Sequence, residues 1–279
     1  MINDLLLNQL PDDAVSVRDA LLSDYTTFRL GGKCPLLVEC PDAECLIKSA
    51  AVLASHHIEF LVIGEGSNLL VSDEGISPCV LRYCADHDPQ VEFDGRRVRV
   101  SGNTRLDDLA RLSIEQGAGD ISFCSGIPGT VGGAIAGNAG AFGRQIGDVV
   151  ESVRLMKKDG SVTDVTADDL LFEYRSSVLK HSGDIVLDAV LKLEPTDIRI
   201  MMQERERILE LRRSKHPDWK ALPCAGSVFR NIEPTSAAER RQAAGWFLEA
   251  AGAGGFRVGG ARLFEKHANI IVTEPGATA

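Results

Sequence analysis

Glycines crowd into the segment 126–141, "GIPGTVGGAIAGNAGA", which holds six of them and no charged residue. A backbone without side chains can approach a ligand closely and present its N–H groups, which suits a pyrophosphate bound without cationic side chains. The glycines concerned are Gly126, Gly129, Gly132 and Gly133. The alternative is that these small residues serve close packing between neighbouring elements.

A second glycine loop, "VIGEGSNLLV", places Gly64 and Gly66 directly after a predicted strand. It differs from a Rossmann dinucleotide loop because Leu69 occupies the third glycine position and the following "LLVSDEG" predicts a strand and a turn, not a helix. A tight structural turn is therefore an equal alternative for this loop alone. Two glycine loops separated by a β-rich segment favour one extended ligand held between two subdomains.

The segments "FEYRSSVLK" and "CAGSVFRN" contain Arg175 and Ser227. A guanidinium can bind a carboxylate through two parallel hydrogen bonds, and a hydroxyl can act as an acid in a dry, closed site. Taken alone, the first segment is typical of a surface arginine and the second of a serine in a turn. His267 in "KHANIIV" suits a general base, although such a histidine is more often a hydrogen-bonded structural residue.

The first part of the chain, up to about residue 194, predicts mixed α and β structure. Asp42 caps a helix in "PDAECLIKSAAVLASHH", and "EFLVI" follows as a short buried strand. The dipeptide Asp94-Gly95 predicts a hairpin turn in "VEFDGRRVRV", as Asp159-Gly160 does in "ESVRLMKKDGSVTDVT". "DIVLDAVLKLEP" predicts a further, mostly apolar strand.

Two more helices are predicted from their caps. "TRLDDLARLSIEQG" opens with a pattern like a capping box at Thr104 and Asp107 and closes on Gly117. "TSAAERRQAAGWFLEAAG" offers a capping box at Ser236 and Glu239, with a C-cap at Gly252.

Between these two helices, "TDIRIMMQERERILELRRSKHPDW" predicts a charged amphipathic helix that joins a second unit. Its apolar residues fall toward one face: Ile198, Met201, Met202, Ile208 and Leu209.

Charge and composition limit the function classes. A formal net charge of −10 and a pI near 5.1 oppose nonspecific binding to nucleic acid or to an anionic membrane surface. The N-terminus lacks the pattern of a signal peptide, and no segment approaches the roughly 20 apolar residues of a membrane span. The seven cysteines lack paired metal or redox spacing, so the sequence predicts no metal site and a reducing, cytoplasmic compartment.

The motifs, in order, resemble a known family. "TTFRLGG", "GEGSNLL", "IPGTVGGA" with "NAGA", "GSVFRN" and "KHANIIV" are similar to those of the UDP-N-acetylenolpyruvoylglucosamine reductases of peptidoglycan synthesis, from about Asp24 to Ala279. The resemblance implies noncovalent FAD, NADPH as electron donor, and reduction of UDP-N-acetylglucosamine-enolpyruvate to UDP-N-acetylmuramate. A different flavin oxidoreductase of the same fold, such as an alcohol oxidase, is the first alternative, and the "YR" and "GSVFRN" segments argue against it.

The resemblance also assigns residues. The implied catalytic residues are Arg175, which binds the substrate carboxylate, and Ser227, which donates the proton; Tyr174 and Asn231 belong to the substrate site. The implied FAD contacts are Gly64, Gly66, Ser67, Asn68 and Leu69 on one side, and Gly126, Pro128, Gly129, Thr130, Gly132, Gly133, Asn138 and Gly140 on the other. The basic residues that could serve the diphosphate are Arg212, Arg213, Lys215, Lys220 and Arg230.

The implied fold is α+β: a two-subdomain FAD-binding fold of the vanillyl-alcohol oxidase/PCMH type, followed by a smaller α+β substrate-binding domain. The expected boundaries are 1–78, 79–195 and 196–279, in a monomer whose partners are the UDP-sugar and NADPH, without nucleic acid or membrane.

Three departures from the family pattern accompany the resemblance. Phe264 stands where many members have serine, and Thr273 where many have asparagine. The family's C-terminal catalytic glutamate has no matching position, and neither Glu265 nor Glu274 lies in its motif context. Two readings follow: the sequence is a truncated form of a working reductase, or it is a naturally short, catalytically impaired relative that binds a flavin or a nucleotide sugar, which is the second alternative.

Overall fold

The computed structural model describes residues 2–85, 89–233 and 241–279. Its α-helices are α1 (Asp4–Leu7), α2 (Ala43–Ser55), α3 (Leu106–Glu115), α4 (Val131–Ala136), α5 (Leu179–Ser182), α6 (Ile198–Lys215) and α7 (Ala244–Ala250). Short 3₁₀ helices lie at Leu22–Tyr25, Ser122–Cys124, Ile146–Asp148, Asp168–Leu170 and Ala253–Gly255. Within these described residues, none of the helices combines the length and apolar character needed to cross a bilayer.

The strands form four sheets. The strands are β1 (Val15–Leu21), β2 (Lys33–Cys40), β3 (Phe60–Ile63), β4 (Cys79–Tyr83), β5 (Val91–Asp94), β6 (Arg97–Ser101), β7 (Gly140–Ala141), β8 (Arg144–Gln145), β9 (Val150–Met156), β10 (Val162–Thr166), β11 (Ile185–Lys192), β12 (Cys224–Ser227), β13 (Arg257–Val258), β14 (Ala261–Phe264) and β15 (His267–Thr273). Their orders are β1-β2-β4-β3, β10-β9-β11-β6-β5, β12-β15-β14-β13 and β7-β8.

The chain divides into two compact units. The first comprises 1–20, 34–65 and 77–209, and the second comprises 21–33, 66–76 and 210–279. The division falls inside α6, in the helix that the sequence predicted as a join. The sequence-based boundaries after residues 78 and 195 stay predictions.

In the first unit, the sheet that contains β3 has a parallel core, with β4 between β2 and β3, and α2 packs on it. The five-stranded sheet is antiparallel and carries α3 and α4 on its buried face. Tyr83 of β4 links the two sheets: its buried hydroxyl donates to the carbonyl of Leu187 in β11 at 2.8 Å and lies 2.8 Å from the Ser101 Oγ. Burial raises the pKa of Tyr83.

In the second unit, β15 is the central strand of an antiparallel sheet. Two residues that depart from the family pattern, Phe264 and Thr273, lie in this unit. Phe264 is buried against Cys224, Ile270 and Val272. Thr273 is also buried, and its hydroxyl donates to the carbonyl of Phe28 at 3.1 Å.

Predictions from local patterns are largely confirmed. Asp42 caps α2, accepting from the Cys45 N–H at 2.8 Å. The turn glycines Gly95, Gly117, Gly160 and Gly252 all have positive φ. Both hairpins form, β5 with β6 and β9 with β10, and β11 lies where "DIVLDAVLKLEP" predicted a strand.

Other local predictions are wrong. The strand in "EFLVI" is only partly buried, and Leu61 is half exposed because it lies on β3, an edge strand. "LLVSDEG" forms no strand. The predicted capping box of Thr104 and Asp107 does not form. Arg105 is the N-cap of α3 without a side-chain cap, and Asp107 instead accepts from Arg205. The prediction that Met202 shares the apolar face of α6 is also wrong, because Met202 is half exposed whereas Met201 and Ile208 are buried.

One predicted cap cannot be compared with the structure. Ser236 and Glu239 lie outside the described residues.

All seven cysteines are buried free thiols. Burial raises the pKa of Cys34 to about 11 and also raises the pKa of Cys40, so these thiols are not activated as thiolates.

Candidate active site

The loop after β3 lies directly against the glycine-rich segment in the first unit. A Cβ at Gly64 would lie 2.5 Å from the Oγ1 of Thr130, so only glycine permits this approach. Beside it, the N–H of Gly129 donates to the Glu65 Oε2 at 2.7 Å. The structure thus brings together three predicted site residues, Gly64, Gly129 and Thr130. It adds Glu65, which the sequence analysis did not identify.

The glycine-rich segment turns through Gly126 (φ +68°) and Gly129 (φ +117°) and then enters α4. Thr130 caps this helix, accepting from the Gly133 N–H at 3.3 Å. A Cβ at Gly132 would lie 3.1 Å from the carbonyl of Gly102, which is a packing contact. Gly133 is exposed, and a Cβ there would meet only the Thr130 hydroxyl, at 3.5 Å. Packing therefore explains Gly132, while Gly133 leaves an open backbone surface.

Asp107 fixes the start of this segment. Its Oδ1 accepts from the Gly126 N–H at 2.7 Å and from Arg205 at 2.6 Å. Burial acts to raise the pKa of Asp107, but the hydrogen bonds from Arg205 and Gly126 outweigh it and hold that pKa below its ordinary value. The sequence predicts only a helix cap at Asp107. Its actual partners lie 19 and 98 residues away, where a local pattern does not reveal them.

Arg175 lies in a tight turn closed by reciprocal backbone hydrogen bonds of 3.0 and 3.1 Å between Glu173 and Ser176. Its φ of +58° is unusual for a residue with a side chain. The exposed guanidinium donates to the carbonyl of Gly140 at 2.8 Å and lies 5.7 Å from the ring centre of Tyr174. Arg175, Tyr174 and Gly140 are thus neighbours in the first unit.

The side chain of Asn138 holds this turn through a hydrogen bond to Glu173. Asn138 is buried, with φ +43°, and its Nδ2 donates to the carbonyl of Glu173 at 2.8 Å. Its Oδ1 accepts from the Gly147 N–H at 3.0 Å. The side-chain amide therefore serves the Arg175 turn, and direct contact between Asn138 and FAD stays a prediction. A Cβ at Gly140 would lie 2.2 Å from the carbonyl of Arg144, so this glycine serves the β7–β8 pair.

In the second unit, the glycine loop continues through Gly66, whose Cβ position lies 2.1 Å from the carbonyl of Tyr25. No helix follows it, which agrees with the sequence analysis. Within the described part of the chain, the N–H groups of Gly66, Asn68 and Leu69 donate to no protein acceptor. Asn68 is exposed and Leu69 partly buried, so their amides could bind an anion, whereas Gly66 is buried. Ser67 lies between Gly66 and Asn68 and is partly buried.

Ser227 ends β12 after a register shift that follows Cys224 and includes Gly226 (φ +75°). The residue is exposed, and no other described residue hydrogen-bonds its hydroxyl. Four residues later, the Oδ1 of Asn231 accepts from the Ala244 N–H at 3.2 Å, at the start of α7. A substrate contact of Asn231 stays a prediction.

Asn269, which the sequence did not single out, holds the loop after Ser227. Its buried side-chain amide accepts from the N–H of Phe229 at 2.8 Å and donates to its carbonyl at 2.9 Å. The N–H of Asn269 donates in turn to the Nδ1 of His267 at 3.2 Å, and the His267 ring lies edge-on to His216, 5.5 Å away. These contacts are those of a structural histidine.

Comparisons with known proteins agree with this arrangement. The family described as "FAD binding domain" matches residues 35–166, and "UDP-N-acetylenolpyruvoylglucosamine reductase, C-terminal domain" matches residues 216–279. The UDP-N-acetylenolpyruvoylglucosamine reductase of Bacillus subtilis is 36% identical over 259 residues, which cover 92% of this chain and 82% of the relative. The chain belongs to the UDP-N-acetylenolpyruvoylglucosamine reductase family.

Two further comparisons extend this membership. A reductase 1 of Bacillus cereus is 38% identical over 92% of this chain and 83% of its own. The crystal structure of the Thermus caldophilus reductase matches with a TM-score of 0.77 and 29% identity, over 95% of this chain and 90% of that one. The glucose dehydrogenase Phl p 4 matches with a TM-score of 0.53 at 16% identity, over 69% of this chain and 44% of that one, which shows a shared fold only. The predicted α+β fold with an FAD-binding domain is confirmed.

The residues present fit FAD. The first unit offers an uncharged glycine segment with an open surface at Gly133, and the second offers the free amides of Asn68 and Leu69. Among the described residues, no group of three or more His, Cys, Asp or Glu side chains could hold a metal ion.

Proposed function

We propose that this chain catalyses the NADPH-dependent, FAD-mediated reduction of UDP-N-acetylglucosamine-enolpyruvate to UDP-N-acetylmuramate, a step of peptidoglycan precursor synthesis. The observation that carries the proposal is the 36–38% identity to reductases of this family over 92% of the chain. We further propose that the protein works in the cytoplasm as a monomer and that its partners are small molecules alone.

FAD would be held by the glycine segment 126–140, and FAD contacts of Gly64, Gly66, Ser67, Asn68 and Leu69 stay a prediction of the family resemblance. Bound FAD would supply two-electron chemistry, linking the oxidation of NADPH to hydride addition at the methylene carbon of the enolpyruvyl group. The chain itself must then supply a cation for the charge that develops and a proton for the neighbouring carbon.

Arg175 is proposed to supply the cation. Its guanidinium is exposed and donates to a single backbone carbonyl, that of Gly140. A substrate carboxylate would bind it more strongly, because bonds between two ionised groups exceed those to a neutral carbonyl. Lys180 donates to the carbonyl of Arg175 at 2.7 Å and adds positive charge nearby.

Ser227 is proposed to supply the proton to the carbon next to the site of hydride addition. A hydroxyl is a weak acid, so it serves only when its acceptor is a strongly basic carbanion or enolate in a closed site. The hydroxyl of Ser227 has no hydrogen-bond partner among the described residues, which supports this assignment, since a hydroxyl engaged in structural hydrogen bonds would be a poorer donor.

Steady-state kinetics test the proposal. Purified, FAD-loaded protein should oxidise NADPH at a rate that depends on UDP-N-acetylglucosamine-enolpyruvate, with UDP-N-acetylmuramate identified by mass as the product. Protein that binds FAD and the nucleotide sugar but forms no product would instead be a silent binding protein. Oxidation of NADPH by simple alcohols or sugars would point to a different flavin oxidoreductase.

A further inference from the structure

The carboxylate of Glu65 binds the backbone of the glycine-rich segment. Its Oε2 accepts from the N–H of Gly129 at 2.7 Å, and its Oε1 lies 2.6 Å from the Nε of Arg105. The Glu65 side chain is 14% exposed, so its charge is largely withdrawn from water. Such a charge is stable only when it is paired and hydrogen-bonded, and Glu65 satisfies both conditions.

We infer that Glu65 is a positioning residue for flavin binding, an internal carboxylate that holds the glycine loop in shape before FAD arrives. Gly129 is fixed on both sides: Glu65 takes its N–H, and its carbonyl accepts from the N–H of Leu106 at 2.9 Å. The unusual φ of +117° at Gly129 is thereby determined by the protein alone. A loop ordered in advance loses less conformational entropy when it binds a ligand.

The same contact also sets the spacing of the two loops in the first unit. Gly64 packs against Thr130 without a side chain, and the next residue, Glu65, bonds to the residue before Thr130. Arg105 offsets the negative charge of Glu65, so the carboxylate does not repel a diphosphate in its vicinity. Glu65 therefore contributes geometry to the glycine-rich segment.

The inference rests on the FAD binding in the proposed function, and Glu65→Ala and Glu65→Gln test it. Glu65→Ala should weaken FAD affinity roughly 10- to 100-fold, which corresponds to the loss of a hydrogen bond to a charged group. Glu65→Gln keeps an acceptor for Gly129 and should lose less. Glu44→Ala, which removes an exposed carboxylate paired with Lys48, is the matched control and should bind FAD as the wild type does.

The second readout is hydrogen exchange of the Gly129 amide in the FAD-free protein. Exchange should accelerate in Glu65→Ala and far less in Glu65→Gln, with thermal unfolding of both variants confirming that they are folded. FAD affinity of Glu65→Ala equal to or tighter than that of the wild type would overturn the inference, and tighter binding would make Glu65 a competitor of the ligand. If the wild type binds no FAD, the proposed function fails, and the flavin role of Glu65 fails with it. The exchange data then still report whether Glu65 orders the loop.

Discussion

Asn138 and Glu173 are joined by a hydrogen bond of 2.8 Å from a buried side-chain amide to a backbone carbonyl. Glu173 is the first residue of the turn that presents Arg175, so the loop assigned to FAD and the turn assigned to the substrate share one contact. An Asn at φ +43° and an Arg at φ +58° both lie in a region that side chains disfavour. Their neighbours must therefore stabilise these conformations.

Asn138→Asp should loosen this turn. Aspartate tolerates the same backbone conformation and can still accept from the Gly147 N–H, but it cannot donate to the Glu173 carbonyl. We expect a loss of about 1–3 kcal/mol in the free energy of unfolding, measured by urea titration. The KM for the UDP-sugar should rise, while flavin reduction by NADPH keeps its rate. Asn8→Asp at an exposed position is the control, and an equal loss there would remove Asn138 from this role.

Gly133→Ala and Gly64→Ala distinguish a ligand-facing glycine from a packing glycine. Alanine at Gly133 has space and a higher helix propensity, so the FAD-free protein should keep or gain stability. If FAD approaches this backbone, its affinity should fall about tenfold. Alanine at Gly64 would clash with Thr130 and should destabilise the FAD-free protein by about 1–3 kcal/mol. Unchanged FAD affinity in Gly133→Ala would show that the open surface at this residue is not used.

Arg175→Lys tests the role of the guanidinium. Lysine keeps the charge but cannot form two parallel hydrogen bonds with a carboxylate. The second half-reaction, oxidation of the reduced flavin by the UDP-sugar, should slow roughly 10- to 100-fold. Flavin reduction by NADPH, followed in the same stopped-flow instrument, should be unaffected. Equal slowing of both half-reactions would mean that Arg175 acts on the flavin or on the fold.

Because of His216, we expect the free energy of unfolding to fall in acid. Burial, assisted by Arg212, His267 and Lys215, lowers the pKa of His216 from 6.5 to about 4. The unfolded chain therefore binds this proton before the folded protein does, and stability should fall as the pH drops from 6.5 to 4. His216→Gln should reduce that loss. Unfolding followed against pH checks this, with exposed His181→Gln as the control; identical slopes for His216→Gln and wild type would refute it.

Features that depend on contacts between residues close together in the chain were predictable from the sequence. Asp42 and the turn glycines were predictable because their partners are adjacent in the chain. The Thr104 and Asp107 cap failed because Arg205, 98 residues away, engages Asp107. A local pattern carries no information about such a competitor.

The contacts that shape the site are of the same long-range kind. Glu65 reaches Gly129 across 64 residues, Asn138 reaches Glu173 across 35, and Asn269 reaches Phe229 across 40. The resemblance to a family supplied the residues expected to touch ligands, whereas the supporting residues emerge only from the folded chain. Phe264 and Thr273 illustrate the same limit, since their burial explains why an apolar ring and a single hydroxyl fit there.

A single-turnover experiment without oxygen tests the proposed reduction of the UDP-sugar. The FAD-loaded protein is bleached with one equivalent of NADPH and then mixed with UDP-N-acetylglucosamine-enolpyruvate. The flavin absorbance should return in the wild type as UDP-N-acetylmuramate forms, whereas Ser227→Ala should bleach normally and recover roughly 100- to 10,000-fold more slowly. A wild-type flavin that stays reduced in the presence of the UDP-sugar would contradict the account.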